Sequence, residues 1–461
     1  MTRAIAFVLL ALPAVVNAQA GPTAATTSQA AVARTIDSLA TAFIAGAGAP
    51  SVAIAVVRGA DTIALRAWGK ADLEHDVAAT PETVYRIGSV TKQFTAAAVM
   101  QLVEQEKLSL DDSIGAHLAG LPAAWRGVTV RQLLNHTSGI PSYTGAGEAW
   151  RSRWGVEMPP ESLLAITARD TMWFRPGTSY RYDNTGYVLL GMLVEKHAGR
   201  PWGADMEERF FKPLGLAHTF NCLADPVIPH RARGYERSGS GWVNTPYLAM
   251  SQPYAAGAIC STVGDLARWN RALHTGKVVS AESYRMMTTP EGAATESGYG
   301  FGLGREKMGE LDVIDHGGGI HGFISANAWV PGPELSVTVL TNSGSARADD
   351  LLRQVARAAM GLPLVQPPTV KPLAAADRAR YVGVYSLPLP PGPRDFTVAE
   401  GADGITGQLQ GQGAIPLLHY GDHTFGASFD PSVRIVFTVE GGRATRMALV
   451  QGGRRIEGAR K

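Results

Sequence analysis

Residues 362–372 read LPLVQPPTVKP, with four prolines in eleven positions. Proline fixes φ and lacks the N–H that helices and central strands require. Such a run makes a stiff spacer, and neither a continuous helix nor a sheet can pass through it. The chain changes character across this spacer. Upstream, β-type runs flank a long stretch of helical periodicity. Downstream, short segments such as SVRIVFTV and RATRMALV alternate with period two around Gly441-Gly442, a hairpin signal. A separate small antiparallel β-barrel is expected for residues 374–461, after a linker at 362–373.

The other end bears a different mark. Arg3 precedes an apolar run from Ala4 to Val16, followed by the small-residue site Val16-Asn17-Ala18. That order reads as a secretory signal peptide over residues 1–18. The run is too short to span a bilayer, which takes about 20 apolar residues. The mature chain is expected to be secreted or periplasmic, with no membrane insertion after cleavage. In an oxidising compartment Cys222 and Cys260 have the option of pairing, which their spacing leaves open.

Charge narrows the partners. Lys and Arg total 42 against 40 acids, so there is no basic footprint for nucleic acid. No HExxH and no Cys/His ligand cluster occurs, and neither a metal nor another cofactor is expected. Nothing in the sequence specifies an oligomer.

Residues 19–361 hold the candidate chemistry. SVAIAVVR and TIALRAWG flank Gly59-Ala60-Asp61 and predict a hairpin. Strands are expected again at 311–315, 322–330 and 335–341. Strands at both ends with helices between predict an α+β fold: one antiparallel sheet from distant segments, flanked by helices, with a helical lobe inserted.

From Ser89 the pattern turns helical, and Lys92 stands three residues on. Residues i and i+3 share a helix face. A lysine there can take the serine proton, provided burial lowers its pKa. Alone, a Ser-x-x-Lys is weak, since one is expected by chance in a chain this long. The Gly-x-Ser-x-Gly signature is absent. A rival nucleophile is Ser138 in NHTSGI, two residues after His136, although side chains two apart do not face each other on a helix. Tyr182-Asp183-Asn184 falls in a loop ahead of a helix from Thr185, a usual place for catalytic groups. IDHGGGIHGF reads as a strand whose glycines admit close backbone approach.

SVTK, YDN and HGG, in that order, resemble the active-site motifs of the serine β-lactamase/penicillin-binding-protein family. The match is to its class C β-lactamase and D-alanyl-D-alanine carboxypeptidase branch. TVRQLLNHTSGIP, AGAICSTVGDLARW and DHGGGIHGFISANAWVPGPELSVTVLTN extend the likeness over roughly residues 28–360, and the tail resembles the lipocalin-like barrel of many relatives. The resemblance implies Ser89 as acylated nucleophile and Lys92 with Tyr182 as the proton-transfer pair, either being the acylation base. It implies Asn184, His316, Gly318 and Gly319 at the substrate, with backbone N–H groups of Ser89 and Gly319 as the oxyanion hole.

Two positions depart from the family pattern. His316 stands where class C β-lactamases carry Lys, so a β-lactam carboxylate would be held less firmly; Arg305 is a candidate substitute charge. Asp183 stands where a small neutral residue is usual, and either points into the cleft or away as a surface acid. The expectation is an exported serine hydrolase acting through an acyl-enzyme on a small-molecule or peptide substrate: a β-lactam, a D-amino-acid peptide or a small ester. The alternatives are a β-lactamase proper, a D-aminopeptidase, DD-carboxypeptidase or esterase, and a non-catalytic binding module that kept the fold.

Overall fold

A computed structural model of the chain describes residues 28–461 apart from 47, 240, 310, 367, 390–391, 402–403, 428–429 and 452–453. The leader expected at 1–18 lies outside the described residues. The chain divides into two compact units, with the boundary between Leu364 and Val365.

The first unit is built on strands β1 (Ser51–Arg58), β2 (Asp61–Asp72), β3 (Val77–Ala78), β4 (Gly304–Met308), β5 (Leu311–Ile320), β6 (Phe323–Val330) and β7 (Leu335–Thr341). They form one sheet in the order β3-β2-β1-β7-β6-β5-β4. Every pairing is antiparallel, and β1 joins β7 in the register Val52↔Thr341 to Arg58↔Leu335. Chain segments nearly 300 residues apart thus share the sheet centre, as the hydrophobic runs at both ends predict. The strand β4, of sequence GREKM, was not evident beforehand. It is an edge strand with exposed Arg305 and Lys307, charge that also blunts an open edge against further pairing.

Both faces of the sheet are covered, which explains why β1 is apolar without alternation. Val52, Ile54 and Val56 pack with Val32 and Ile36 of helix α1 (Gln29–Ala45) and with Leu351, Leu352 and Val355 of the late helix Ala348–Ala359. Ala53 and Ala55, on the opposite face, join the larger core that contains the inserted helices.

The centre of that core is α2 (Thr91–Glu104), buried from Thr91 to Met100 without a break. It packs against α3 (Thr185–Ala198), α4 (Tyr254–Gly257) and α5 (Val263–His274). Phe94 stacks on Trp269 of α5 with ring centroids 3.8 Å apart, and the Trp269 indole N–H donates to Gln93 at 2.9 Å. Cys222 and Cys260 are both buried free thiols beside the antiparallel pairing Phe220↔Cys260.

The second unit is a closed eight-stranded antiparallel barrel, sealed where its first strand (Gly383–Leu387) meets its last (Arg454–Arg460). Tyr385, Phe396, Phe425, Phe437 and Met447 form its buried cluster. Closure removes the exposed edges that short strands would otherwise present. Among the described residues no helix is long and apolar enough to cross a membrane.

Candidate active site

Ser89 sits in a 3₁₀ turn, Gly88–Val90, that runs directly into α2. Gly88 is at φ +51°, and a Cβ there would come within 3.0 Å of Gly319 backbone atoms. At Gly318 a Cβ would lie 2.0 Å from the Ile87 carbonyl oxygen. These glycines let the nucleophile turn and β5 press together backbone to backbone. Ser325 Oγ adds a bond to the Ile87 carbonyl at 2.8 Å. Among the described residues no strand pairs with the outer side of β5 beyond Asp315, where its ladder with β4 stops at Asp315↔Gly304. Gly319 is therefore on a free strand edge beside Ser89.

Lys92 is fully buried one turn after Ser89, and its Nζ lies 3.2 Å from Ser89 Oγ. Nζ donates to Asn184 Oδ1 at 2.8 Å and to the Ala256 carbonyl at 2.9 Å. Burial lowers its pKa to about 7, against the opposing pull of the Asp183 charge. A neutral amine has two N–H donors and one lone pair. Asn184 and Ala256 accept the two protons, which leaves the lone pair for the Ser89 hydroxyl.

Asn184 occupies the N-cap position of α3, but its side chain does not cap. The capping bond comes instead from Asp183, whose carboxylate accepts the Gly186 N–H. The Asn184 amide is left to bind Lys92, and its Nδ2 donates to Thr144 Oγ1 at 3.0 Å. Ser142 Oγ receives the Asn184 N–H at 3.0 Å. Asp183 is not a surface acid. It is buried, accepts from Ser138 Oγ at 3.4 Å, and lies 3.5 Å from His136 Nδ1. Ser138 thus serves the loop, where its oxygen also receives the Ile140 N–H. His136, at φ +59°, turns the chain after a short helix.

The Tyr182 ring lies 4.8 Å from Lys92 Nζ, and its buried hydroxyl has no hydrogen-bond partner among the described residues. Burial raises the Tyr182 pKa, only the nearby Ser89 side chain opposing it, so the phenol stays protonated. His316 is buried with both nitrogens engaged: Nδ1 is 2.6 Å from the Gly317 carbonyl and Nε2 is 2.8 Å from the Tyr299 hydroxyl. The carbonyl only accepts, so Nδ1 carries the hydrogen and Nε2 receives the Tyr299 O–H. Burial and then the Lys92 charge hold the His316 pKa at about 3. It offers no positive charge to a substrate carboxylate. Arg305 does not replace it, since its guanidinium is directed to Asp312 at 3.4 Å.

The structure therefore brings Ser89, Lys92, Tyr182 and Asn184 into one cluster, with Gly318 and Gly319 alongside and His316 behind Tyr182. Sequence reading missed Ala256, Ser142, Thr144 and Tyr299. Ala256 acts through its carbonyl, which no side-chain pattern can reveal. Ser142 and Thr144 lie just after NHTSGIP, and their polar spacing was the one available signal. Each candidate in the cluster lies within the first unit.

The Beta-lactamase family model matches residues 36–381, and the chain belongs to that family. A D-aminopeptidase from Brucella ovis is 30% identical over 330 residues, covering 69% of this chain but only 61% of its own length. A D-stereospecific amidohydrolase from Streptomyces sp. superposes with a TM-score of 0.64 at 30% identity, covering 72% of this chain and 99% of its own. An octameric penicillin-binding protein homologue from Pyrococcus abyssi has a TM-score of 0.67 at 25% identity. It covers 92% of this chain and 99% of its own.

Proposed function

We propose that this chain is an exported serine hydrolase that cleaves amide bonds through an acyl-enzyme on Ser89, with D-aminoacyl amides and peptides as its main substrates. The observation that carries this reading is the seat of Lys92, whose two acceptors leave its lone pair for Ser89 Oγ, 3.2 Å away. Ser89 Oγ attacks the amide carbon while its proton passes to Lys92 Nζ. The carbonyl oxygen gains the electron pair and lies against the Ser89 and Gly319 N–H groups, each such donor being worth roughly 2.7–4 kcal/mol. The tetrahedral carbon expels the amine, which takes a proton from the Tyr182 hydroxyl as that group is reprotonated from Lys92. Water then repeats the sequence on the ester and releases the acid.

Support for an amide of a D-amino acid comes from the relatives, among them a D-aminopeptidase and a D-stereospecific amidohydrolase. A β-lactamase reading has less support, because His316 is neutral with both nitrogens engaged and Arg305 is turned to Asp312. Export rests on the leader-like residues 1–18.

The test is turnover of D- and L-phenylalanine amide, D-alanyl peptides and a chromogenic cephalosporin, with mass analysis of the protein after a fluorophosphonate. Hydrolysis of the D-amides and an adduct on Ser89 are expected. An adduct that survives in Ser89→Ala, or turnover confined to the cephalosporin, would overturn the reading.

A further inference from the structure

Among the described residues nine buried side-chain atoms lack a hydrogen-bond partner, and three of the nine belong to residues lining one cavity. They are Trp202 Nε1, Asn221 Oδ1 and the Tyr254 hydroxyl. The cavity, of about 320 Å³, lies where Glu195 of α3 meets the chain around Met158, Trp202, Asn221 and Met250, within the first unit. None of Ser89, Lys92, Tyr182 and Asn184 lines it. It is a second site. Trp202 is wholly buried, and its ring centroid lies 5.5 Å from that of Tyr254. Burying one polar atom without a partner is costly. Three gathered around one space make a place that receives polar groups.

The rest of the lining decides the class of ligand. Met158, Pro160, Leu223 and Met250 give apolar walls, and Glu157 and Glu195 supply carboxylates. No Lys or Arg lines the cavity among the described residues. Glu195 Oε1 receives the Trp202 backbone N–H at 2.7 Å, which fixes that carboxylate in place. The Tyr254 hydroxyl is near it without closing a hydrogen bond. Burial, then the Glu195 charge, raise the Tyr254 pKa, so the phenol stays a donor. Acidic walls and two aromatic rings attract an ammonium group. Asn221 Oδ1 accepts one of its N–H groups, and the Trp202 and Tyr254 donors suit a neutral oxygen beside it.

Tyr254 also connects the cavity to the chemistry. It is the first residue of α4 and sits at φ +40°, in the left-handed region that is costly for a residue with a Cβ. Two residues on, the Ala256 carbonyl accepts from Lys92 Nζ, and between them the Ala255 carbonyl accepts from Thr95 Oγ1 at 2.7 Å. A ligand bonded to the Tyr254 hydroxyl braces the start of α4, and with it the acceptor that seats Lys92. We propose that this cavity is an effector site for a small amino alcohol, a primary ammonium with an apolar body, whose binding raises turnover at Ser89. The effect on turnover rests on the reading of Ser89 and Lys92 as the amide-cleaving pair; the binding itself does not.

The probe is 2-amino-1-phenylethanol, with 2-phenylethylamine lacking its hydroxyl and 2-phenylethanol lacking its amine. Calorimetry on the full chain should show saturable binding of the probe, about tenfold weaker binding of the amine alone, and none of the alcohol. Glu195→Gln keeps an oxygen for the Trp202 N–H and should weaken the probe at least about tenfold. Trp202→Phe should remove the advantage of the hydroxyl, with circular dichroism checking that each variant folds. Saturating probe should raise kcat on D-phenylalanine amide at least about twofold in the wild type with KM unchanged. No saturable binding, or binding that both substitutions leave untouched, would overturn the site. Competition with D-phenylalanine amide would put the probe in the catalytic cleft and overturn it equally. Binding that leaves kcat of an active enzyme unchanged would overturn the effector role. Binding to Ser89→Ala supports the cavity even where the wild type hydrolyses no amide, a result that defeats only the reading of Ser89.

Discussion

Lys92 Nζ stands 3.2 Å from Ser89 Oγ with both of its remaining short contacts, Asn184 Oδ1 and the Ala256 carbonyl, acting as acceptors. A neutral lysine fits this seat as a base, and its pKa of about 7 places the change of charge in a measurable range. Below that pH Lys92 is protonated and cannot take the Ser89 proton; above it the amine is free. The acylation rate on an amide should rise about tenfold per pH unit below 7 and level off above. His316, at about 3, adds no second step between pH 4 and 7. Lys92→Arg, which stays charged, should lose at least about a hundredfold in kcat. A rate that falls with rising pH through 7 would remove Lys92 as the base.

The same lysine feels the Asp183 carboxylate, which raises its pKa against the effect of burial. Asp183→Asn keeps an oxygen for the Gly186 N–H, so the start of α3 is retained, but removes the charge. The midpoint of the pH–rate profile should then move to lower pH. Stopped-flow acylation across pH 5–8 checks this, and a midpoint that stays put or rises would show that the carboxylate acts on Lys92 only through structure.

At Gly318 the reasoning is steric. An added methyl would sit 2.0 Å from the Ile87 carbonyl and 2.4 Å from Ser325 Oγ, so the nucleophile turn and β5 must part. A displacement near 1 Å at the reacting atoms is worth about a hundredfold in rate. Gly318→Ala should therefore lower kcat by at least that factor while the protein still folds, as far-UV circular dichroism would show. Near-normal kcat would mean that the strand edge does not position the oxyanion donors.

What the sequence made legible follows from how local each signal is. Ser89 and Lys92 are one helical turn apart, so their pairing was readable from spacing; Asn184 was placed at a loop–helix junction by its turn signals, and its part in the site was implied only by the family resemblance. The central strands were readable because burial on both faces imposes unbroken apolar runs. Charged β4 carries no such run and was invisible. Asp183 was open between a cleft acid and a surface acid, because Ser138 and His136, which enclose it, come from a segment more than 40 residues away. The partners of Lys92 and His316 at Ala256 and Tyr299 come from segments more than 100 residues away in the first case and from an irregular loop in the second. Neither contact has a period to betray it.

The stacking of Phe94 on Trp269 ties the helix of Lys92 to α5, and its energetics lead to a prediction at a distance from the chemistry. Both rings are fully buried, Phe94 also packs edge-on against Phe210 and Phe211, and the Trp269 N–H is held by Gln93. Phe94→Ala removes a ring from a site closed on all sides, where Gln93 and Trp269 cannot move in without breaking their bond. Such truncations cost about 3–5 kcal/mol. Because Phe94 lies two residues beyond Lys92 on α2, the loss should also loosen the Nζ seat, so kcat should fall more than stability alone explains. Urea unfolding followed with single-turnover rates on the folded fraction separates the two effects. A folded fraction with wild-type kcat would mean that Asn184 and the Ala256 carbonyl hold Lys92 without help from the packing of its helix.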